Sequence, residues 1–320
     1  MNLKVNPPFY SSAPIRSLNA LSRALAVPVV SLRTLADTAN SRYRLAKPIV
    51  KPDGTVRQPF DALQPLKDVH RRIKTKILAR VTFPPYLTGS IRGQSYRTNA
   101  ALHAGAKIII CEDVEGFFPS TSAARVYDIW RYFFGCTDNI AELLTRLTTK
   151  DGALPQGAIT SSYLANLTFW RDEPRLHASL AEAGIIYSRY VDDLALSSKA
   201  YLSDEEQTAC IARAYGMLTR AGYRAKRRKH EVFTDKRPML TTKLLVNKRP
   251  ALMPDERAKI RTAVHQLENR FAQGERGQDI KKELARVAGR VGKLKAFHSA
   301  KGTALTARVK RIRDVLQCKS

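Results

Sequence analysis

The sequence predicts an α/β or α+β core followed by a helical third, on three observations. The middle third alternates strand and helix signals, the last third carries apolar stripes at helical spacing, and no internal repeat or low-complexity tract interrupts either. A chain of 320 residues has room for two compact domains, or one with an appended lobe. Its 44 % hydrophobic content, 16 Gly and 16 Pro are those of an ordinary globular protein, so a substantial core is expected.

The elements follow in order. Ser17 is a plausible N-cap for a helix carrying Leu18, Leu21 and Leu25, and Ser31 for one carrying Leu32, Leu35 and Ala39, so residues 1–40 read as a small helical lobe. Paired short helices around Pro28 also fit a helix-turn-helix, but such pairs are far more often packing elements. The run KPIVKPDGTVRQP sets Pro52, Asp53 and Gly54 between two β-prone pieces, a hairpin signal flanked by Lys51 and Arg57. Leu63, Leu66, Val69, Ile73 and Ile77 then have helical spacing. Lys107 to Cys111 reads as a buried strand, Ala158 to Trp170 as a helix and Ile185 to Leu196 as a strand pair. Pro254 opens a helix with the stripe Ile260, Val264, Leu267 and Phe271, and Ile280, Leu284, Val287, Val291 and Leu294 form a second stripe.

Charge narrows the function. Lys and Arg number 55 against 28 Asp and Glu, a net +27, which points to a polyanionic partner and first to nucleic acid. Residues 221–320 alone hold 27 Lys and Arg against 9 Asp and Glu, a sign too one-sided for a merely solvated face and suited to gripping a duplex. No run of 18 apolar residues argues for a membrane span, and no signal-peptide pattern opens the chain, so a cytoplasmic protein without membrane association is expected. The four cysteines lack CxxC spacing, which suggests neither a zinc ribbon nor a disulfide framework.

The chemistry-bearing pattern is Tyr190-Val191-Asp192-Asp193 at the turn of an apolar hairpin. In a plain strand one of two adjacent carboxylates would face the core at a steep desolvation cost, which a bound cation would remove. A lone Asp-Asp pair is most often an exposed turn. Here, however, Asp113 closes another apolar strand, and if the two segments are sheet neighbours three carboxylates converge at one edge. Mg²⁺ prefers a few carboxylates together with phosphate oxygens, and two such ions about 3.5–4 Å apart support nucleotidyl transfer.

Other segments fall in order around these: Asp113 to Phe118, Leu154-Pro155-Gln156-Gly157 leading to Leu164-Ala165-Asn166-Leu167, and Gly222-Tyr223 with a basic run to Lys229. Together, over roughly residues 43–250, they resemble the palm motifs of reverse transcriptases, and the length and helical end resemble the compact retron enzymes of bacteria. Asn99-Ala100-Ala101-Leu102-His103 is similar to the retron NAxxH signature. Thr241-Thr242-Lys243 stands at the family's VTG element, with Thr241 and Lys243 replacing its Val and Gly. Ser162 stands where many relatives carry proline.

The resemblance implies an α+β right-hand polymerase fold: an N-terminal helical lobe over 1–40, fingers and palm over 41–240, and a basic helical thumb over 241–320. It implies metal ligation by Asp113 and Asp192, with Asp193 in support, of two Mg²⁺ ions, Mn²⁺ being a substitute. Phe118 would lie under the incoming sugar and select deoxynucleotides, or else pack in the core, a part Phe117 can also play. Gln156 and Gly157 would contact the nucleotide, while Lys51 and Arg57 would neutralise its triphosphate. Lys229 would protonate pyrophosphate, unless it is one more solvated cation beside Lys226, Arg227 and Arg228. RNA contacts are expected from Asn99, His103, Thr241, Thr242 and Lys243, and from the thumb residues Lys281, Lys282, Arg286 and Arg290. Asn99 and His103 also fit an ordinary helical polar pair.

The implied activity is reverse transcription of a dedicated structured noncoding RNA, template and primer at once, into RNA-linked single-stranded DNA (msDNA). Deoxynucleoside triphosphates are the implied substrates, and a separate effector protein of an antiphage defence system the implied partner. A diversity-generating or other defence reverse transcriptase, or a non-catalytic RNA-binding scaffold of the same fold, are the alternatives.

Overall fold

The computed structural model describes residues 5–50, 54 and 56–317. Its centre is a four-stranded antiparallel sheet in the order Glu231–Thr234, Ile108–Asp113, Asp193–Ser198, Ile185–Tyr190. Helices cover both faces, which makes the class α+β and explains why the strands read as nearly unbroken apolar runs. Alternate residues serve different cores: Ile110, Leu194, Leu196 and Tyr187 join one, whereas Ile109 and Ala195 join the other.

The first core takes in the N-terminal helices. Ser17 caps Leu18–Leu25 by accepting from the Ala20 N–H, as its sequence position suggested. The next helix, Val29–Asp37, starts two residues before Ser31, because Pro28 sets the entry and no side-chain cap is used. Helices of 8 and 9 residues bury too little by themselves, and Leu21, Leu25, Leu32 and Leu35 share one core with Ile73 of Leu66–Lys76 and Leu144 of Asp138–Thr148.

The second core lies under three long helices, Pro254–Ala272, Gln278–Phe297 and Ser299–Gln317. The two stripes read from the sequence supply its buried Ile260, Val264, Leu267, Ile280, Leu284, Val287, Val291 and Leu294, whereas Phe271 packs at the margin. The third helix adds Leu305, Val309, Ile312 and Leu316. Among the described residues no helix is long and apolar enough to cross a membrane.

Outside both cores, Ile49–Val50 pairs with Val56–Arg57 as the hairpin signal predicts, and the turn residues Pro52 and Asp53 lie outside the described residues. The helix expected over 158–170 is regular only from Ser161 to Asn166. Its continuation is broken where the Thr168 hydroxyl bonds the Ala165 carbonyl and the chain turns toward Glu173–Glu182.

Candidate active site

The Ile185–Ser198 hairpin closes with Tyr190 opposite Asp193, so Val191 and Asp192 form a two-residue turn. Val191 has φ 61°, the positive value that a tight hairpin demands at its first central residue and a β-branched side chain resists. The turn is tied to the neighbouring strand where the Val114 N–H donates to the Asp192 carbonyl at 3.0 Å. In that register Asp113 lies directly across from Asp193. Like charges facing each other across a ladder repel.

That repulsion shows in the acidities. Burial first, then the Asp113 charge, raises the Asp192 carboxyl above its usual range. Asp193 goes up to about 7, through the crowding of the cleft and then Asp192 and Asp113, although its side chain keeps a surface open to solvent that tempers the shift. The Lys229 ammonium answers with a direct bond to Asp113. Burial alone would lower Lys229, but that bond and the surrounding carboxylates raise it. Among the described residues no group of three or more His, Cys, Asp or Glu side chains is placed to hold a metal ion by itself. The three aspartates make an open, under-neutralised acidic edge short of a complete ligand set, so a cation there would have to draw further coordination from a phosphate ligand.

A cavity of about 300 Å³ lies over this edge, lined by Arg57, Gln58, Asp113, Phe117, Phe118, Gln156, Asp192 and Lys229 among others. Six of the residues singled out in the sequence thus share one wall, and the Arg57 charge reaches Asp192. Phe118 lines the cavity, while Phe117 also stacks on Phe169 in the core with ring centres 5.9 Å apart. Gly157 has φ 101°, and a Cβ there would stand 2.8 Å from the Phe60 carbonyl oxygen. Its smallness therefore admits the Phe60 backbone, whose N–H donates to the Gln156 carbonyl at 2.7 Å. Lys51 lies outside the described residues.

A second cavity of about 410 Å³ shares Asp113 and Lys229 and adds Asp193, Thr241, Thr242 and Lys243. Thr242 and Lys243 both take positive φ, 47° and 65°, between the paired Leu240–Thr241 and Leu244–Leu245. Thr241 is buried and donates to Asn99 Oδ1 at 3.3 Å.

Asn99 and His103 require a correction. They are 1 % and 0 % exposed, so direct contact with RNA is closed to them. Asn99 Nδ2 donates to Thr88 and Ser188 hydroxyls at 2.9 and 2.8 Å, and the His103 ring bonds Ser197 and Ser188, each at 2.7 Å. Asn99 and His103 bind the Tyr96–Leu102 helix to the hairpin and turn inward because the sheet offers them hydroxyls. Lys281, Lys282, Arg286 and Arg290 are exposed along Gln278–Phe297 and line neither cavity.

Two buried charges escaped the sequence reading. Arg189, three residues before Asp192, is fully buried and paired with Glu173. Glu112, next to Asp113 but pointing the other way, accepts from Tyr215 at 2.9 Å and pairs with His230 at 2.6 Å. An arginine inside an apolar strand was the available signal for the first, since such a charge must find a carboxylate.

No protein-family model matches the chain. It is similar to the Retron Se72 reverse transcriptase of Salmonella heidelberg, 33 % identical over 67 % of this chain and 56 % of that one. The Retron Ec48 reverse transcriptase of Escherichia coli is 29 % identical over 91 % of this chain and 74 % of its own length. The Retron Ec86 reverse transcriptase, also of Escherichia coli, is 33 % identical over 58 % of each chain. The match thus spans little more than half of two of these relatives. With Asp113 and the Asp192-Asp193 turn at one sheet edge, these similarities identify the chain as a member of the retron reverse transcriptase family.

Proposed function

We propose that this chain is an RNA-directed DNA polymerase that copies a dedicated structured noncoding RNA into RNA-linked single-stranded DNA, as part of an antiphage retron system with a separate effector protein. The observation that carries it is the gathering of Arg57, Asp113, Phe118, Gln156, Asp192 and Lys229 on one cavity at an acidic sheet edge. In this reading residues 41–240 are fingers and palm of a right-hand polymerase, and the basic helices of 241–320 are its thumb. The helices Leu18–Leu25 and Val29–Asp37 of the N-terminal lobe share a core with the palm sheet.

The raised pKa values of Asp192 and Asp193 beside Asp113 fit bound cations, which would remove the repulsion that opposes their ionisation. Two Mg²⁺ ions held by Asp113 and Asp192, with Asp193 in support, would ease ionisation of the primer hydroxyl and offset charge on the transferring phosphate. The protein supplies the rest. Arg57 neutralises the triphosphate, Gln156 orients the nucleotide and the Phe118 ring lies beneath the sugar, where a 2′-hydroxyl would collide. Lys229, bonded to Asp113 without substrate, keeps its proton at neutral pH and is placed to give it to the leaving pyrophosphate.

Primer extension on an RNA template with deoxynucleotides and Mg²⁺, followed by sequencing of nucleic acid that copurifies with the protein, tests the proposal. DNA synthesis and a branched RNA–DNA species are expected. Failure to extend any primer would leave only a scaffold that binds RNA.

A further inference from the structure

Arg189 ends the inward row Ile185, Tyr187, Arg189 of its strand, and none of its guanidinium reaches solvent. Two of its N–H groups grip Glu173, Nε to Oε1 at 2.7 Å and Nη2 to Oε2 at 2.8 Å, and the Tyr187 hydroxyl donates to the same carboxylate at 2.7 Å. Charge balance is complete with that pair. Two further bonds go elsewhere: Nη1 to the Val191 carbonyl at 2.9 Å and Nη2 to the Asn166 carbonyl at 3.0 Å.

Val191 is the residue whose backbone is held at φ 61°, next to Asp192. Its other side is closed by Gly89, where a Cβ would stand 2.4 Å from the Val191 nitrogen and 2.6 Å from its Cγ2. Gly89 is itself fixed, because Asn166 Nδ2 donates to its carbonyl at 2.8 Å and the Thr88 N–H donates to the Arg189 carbonyl at 3.0 Å. Asn166 therefore braces both jaws, and it ends the helix that follows the Gln156 loop.

We propose that Arg189, oriented by Glu173, is a positioning residue that clamps Val191 against Gly89 and so aims the Asp192 carboxylate at the cation site. The clamp also links the nucleotide loop to the carboxylate turn. A lysine would keep the charge opposite Glu173 but, as a single compact ammonium, could not hold the Glu173 fork and both carbonyls in one plane. A glycine at 191 would adopt the positive φ unaided.

This inference rests on the polymerase reading, and the wild-type enzyme separates the two: if it extends no primer, that reading fails first. Given wild-type activity, Arg189→Lys should stay folded by circular dichroism yet lose about 10²-fold in kcat. Its KM for primer–template should be unchanged, while the Mg²⁺ concentration for half-maximal rate rises about tenfold. Adding Val191→Gly should restore much of the loss. If Arg189→Lys does not fold, Gly89→Ala, which presses on Val191 and leaves the ion pair alone, should give the same rise in Mg²⁺ requirement. An unchanged Mg²⁺ requirement in whichever variant folds, or no rescue by Val191→Gly in a folded Arg189→Lys enzyme, would overturn the proposal and leave Arg189 a core ion pair.

Discussion

The two faces of the 185–198 hairpin hold polar groups under opposite terms. On the inner faces the buried charges and the Asn99–His103 pair have partners: Arg189 has Glu173, and Asn99 and His103 have Ser188, Ser197 and Thr88. At the turn, Asp192 and Asp193 face Asp113, to which Lys229 is bonded, and two of the three carboxyls are driven toward holding protons. Satisfied buried networks specify a structure, whereas an under-neutralised edge is reserved for a ligand that brings positive charge. Similar residue types in the same sequence neighbourhood thus serve the fold on one side and the proposed chemistry on the other.

The comparison breaks most visibly at Asp192. Asp192→Ala should reduce primer extension to background while the metal-free protein becomes more stable, by about 1 kcal/mol, because like charges are relieved. Thermal melts without divalent ions and extension assays with Mg²⁺ read both halves. Full extension by the variant would remove the carboxylate from the mechanism.

On the satisfied face the same kind of change should cost stability. Asn99→Ala leaves Thr88, Ser188 and Thr241 short of a partner and should destabilise the protein by about 2 kcal/mol, with priming on a cognate RNA and extension of a generic primer–template falling together. His103 adds a pH signature. Burial lowers it from 6.5 to about 4, so its contribution is complete above the unfolded value and is lost as pH falls from about 6.5 toward 4. The span corresponds to at most about 3 kcal/mol. His103→Gln should flatten the stability curve across that window without abolishing its slope, since His70 and His177 are lowered by burial too. An unaltered slope would mean that His103 titrates freely.

Much of this contrast was written in the sequence, and the exceptions have physical reasons. The strand runs, the hairpin acids and the two terminal stripes were legible because periodicity and a doubled carboxylate are local signals. Inwardness was not legible for Asn99 and His103: an i, i+4 polar pair looks alike whether it meets water or the hydroxyls of Ser188 and Ser197, which lie more than 80 residues away. The Arg189–Glu173 pair is hidden likewise, since pairing across 16 residues depends on how a helix folds back on the sheet. The short strands around Thr241 escaped because two-residue pairings carry almost no pattern.

A smaller effect is expected at Phe118, which stands between the two regimes: its ring lines the cavity, yet it is buried in the same core as its neighbour Phe117. Phe118→Ala should raise ribonucleotide incorporation relative to deoxynucleotides by about tenfold or more, at a stability cost of about 3 kcal/mol or less because one side of the ring already faces the cavity. Single-nucleotide incorporation with each substrate type measures it. A stability loss of several kcal/mol with an unchanged ratio would move Phe118 to the satisfied side.

The smallest effect should come from the exposed cations of Gln278–Phe297, where charge balance is partial. If Lys281, Lys282, Arg286 and Arg290 touched four phosphates, their joint neutralisation would flatten the logarithmic salt dependence of binding by about 3 to 4. The helix already answers part of this charge, for example with Arg286 2.6 Å from Glu283 and Lys282 3.8 Å from Asp279. A cation shared with a neighbouring carboxylate releases less counterion when it meets a phosphate, so the quadruple variant should flatten the slope by less than that. Cognate RNA and a generic duplex should be affected alike, because phosphate contacts carry no sequence. Glu283→Gln turns the argument around: freeing Arg286 from its partner should steepen the slope and tighten binding at low salt. Titrations of both substrates across salt concentrations decide the matter, and a slope indifferent to Glu283 and to the four cations would place the nucleic acid on another face of these helices.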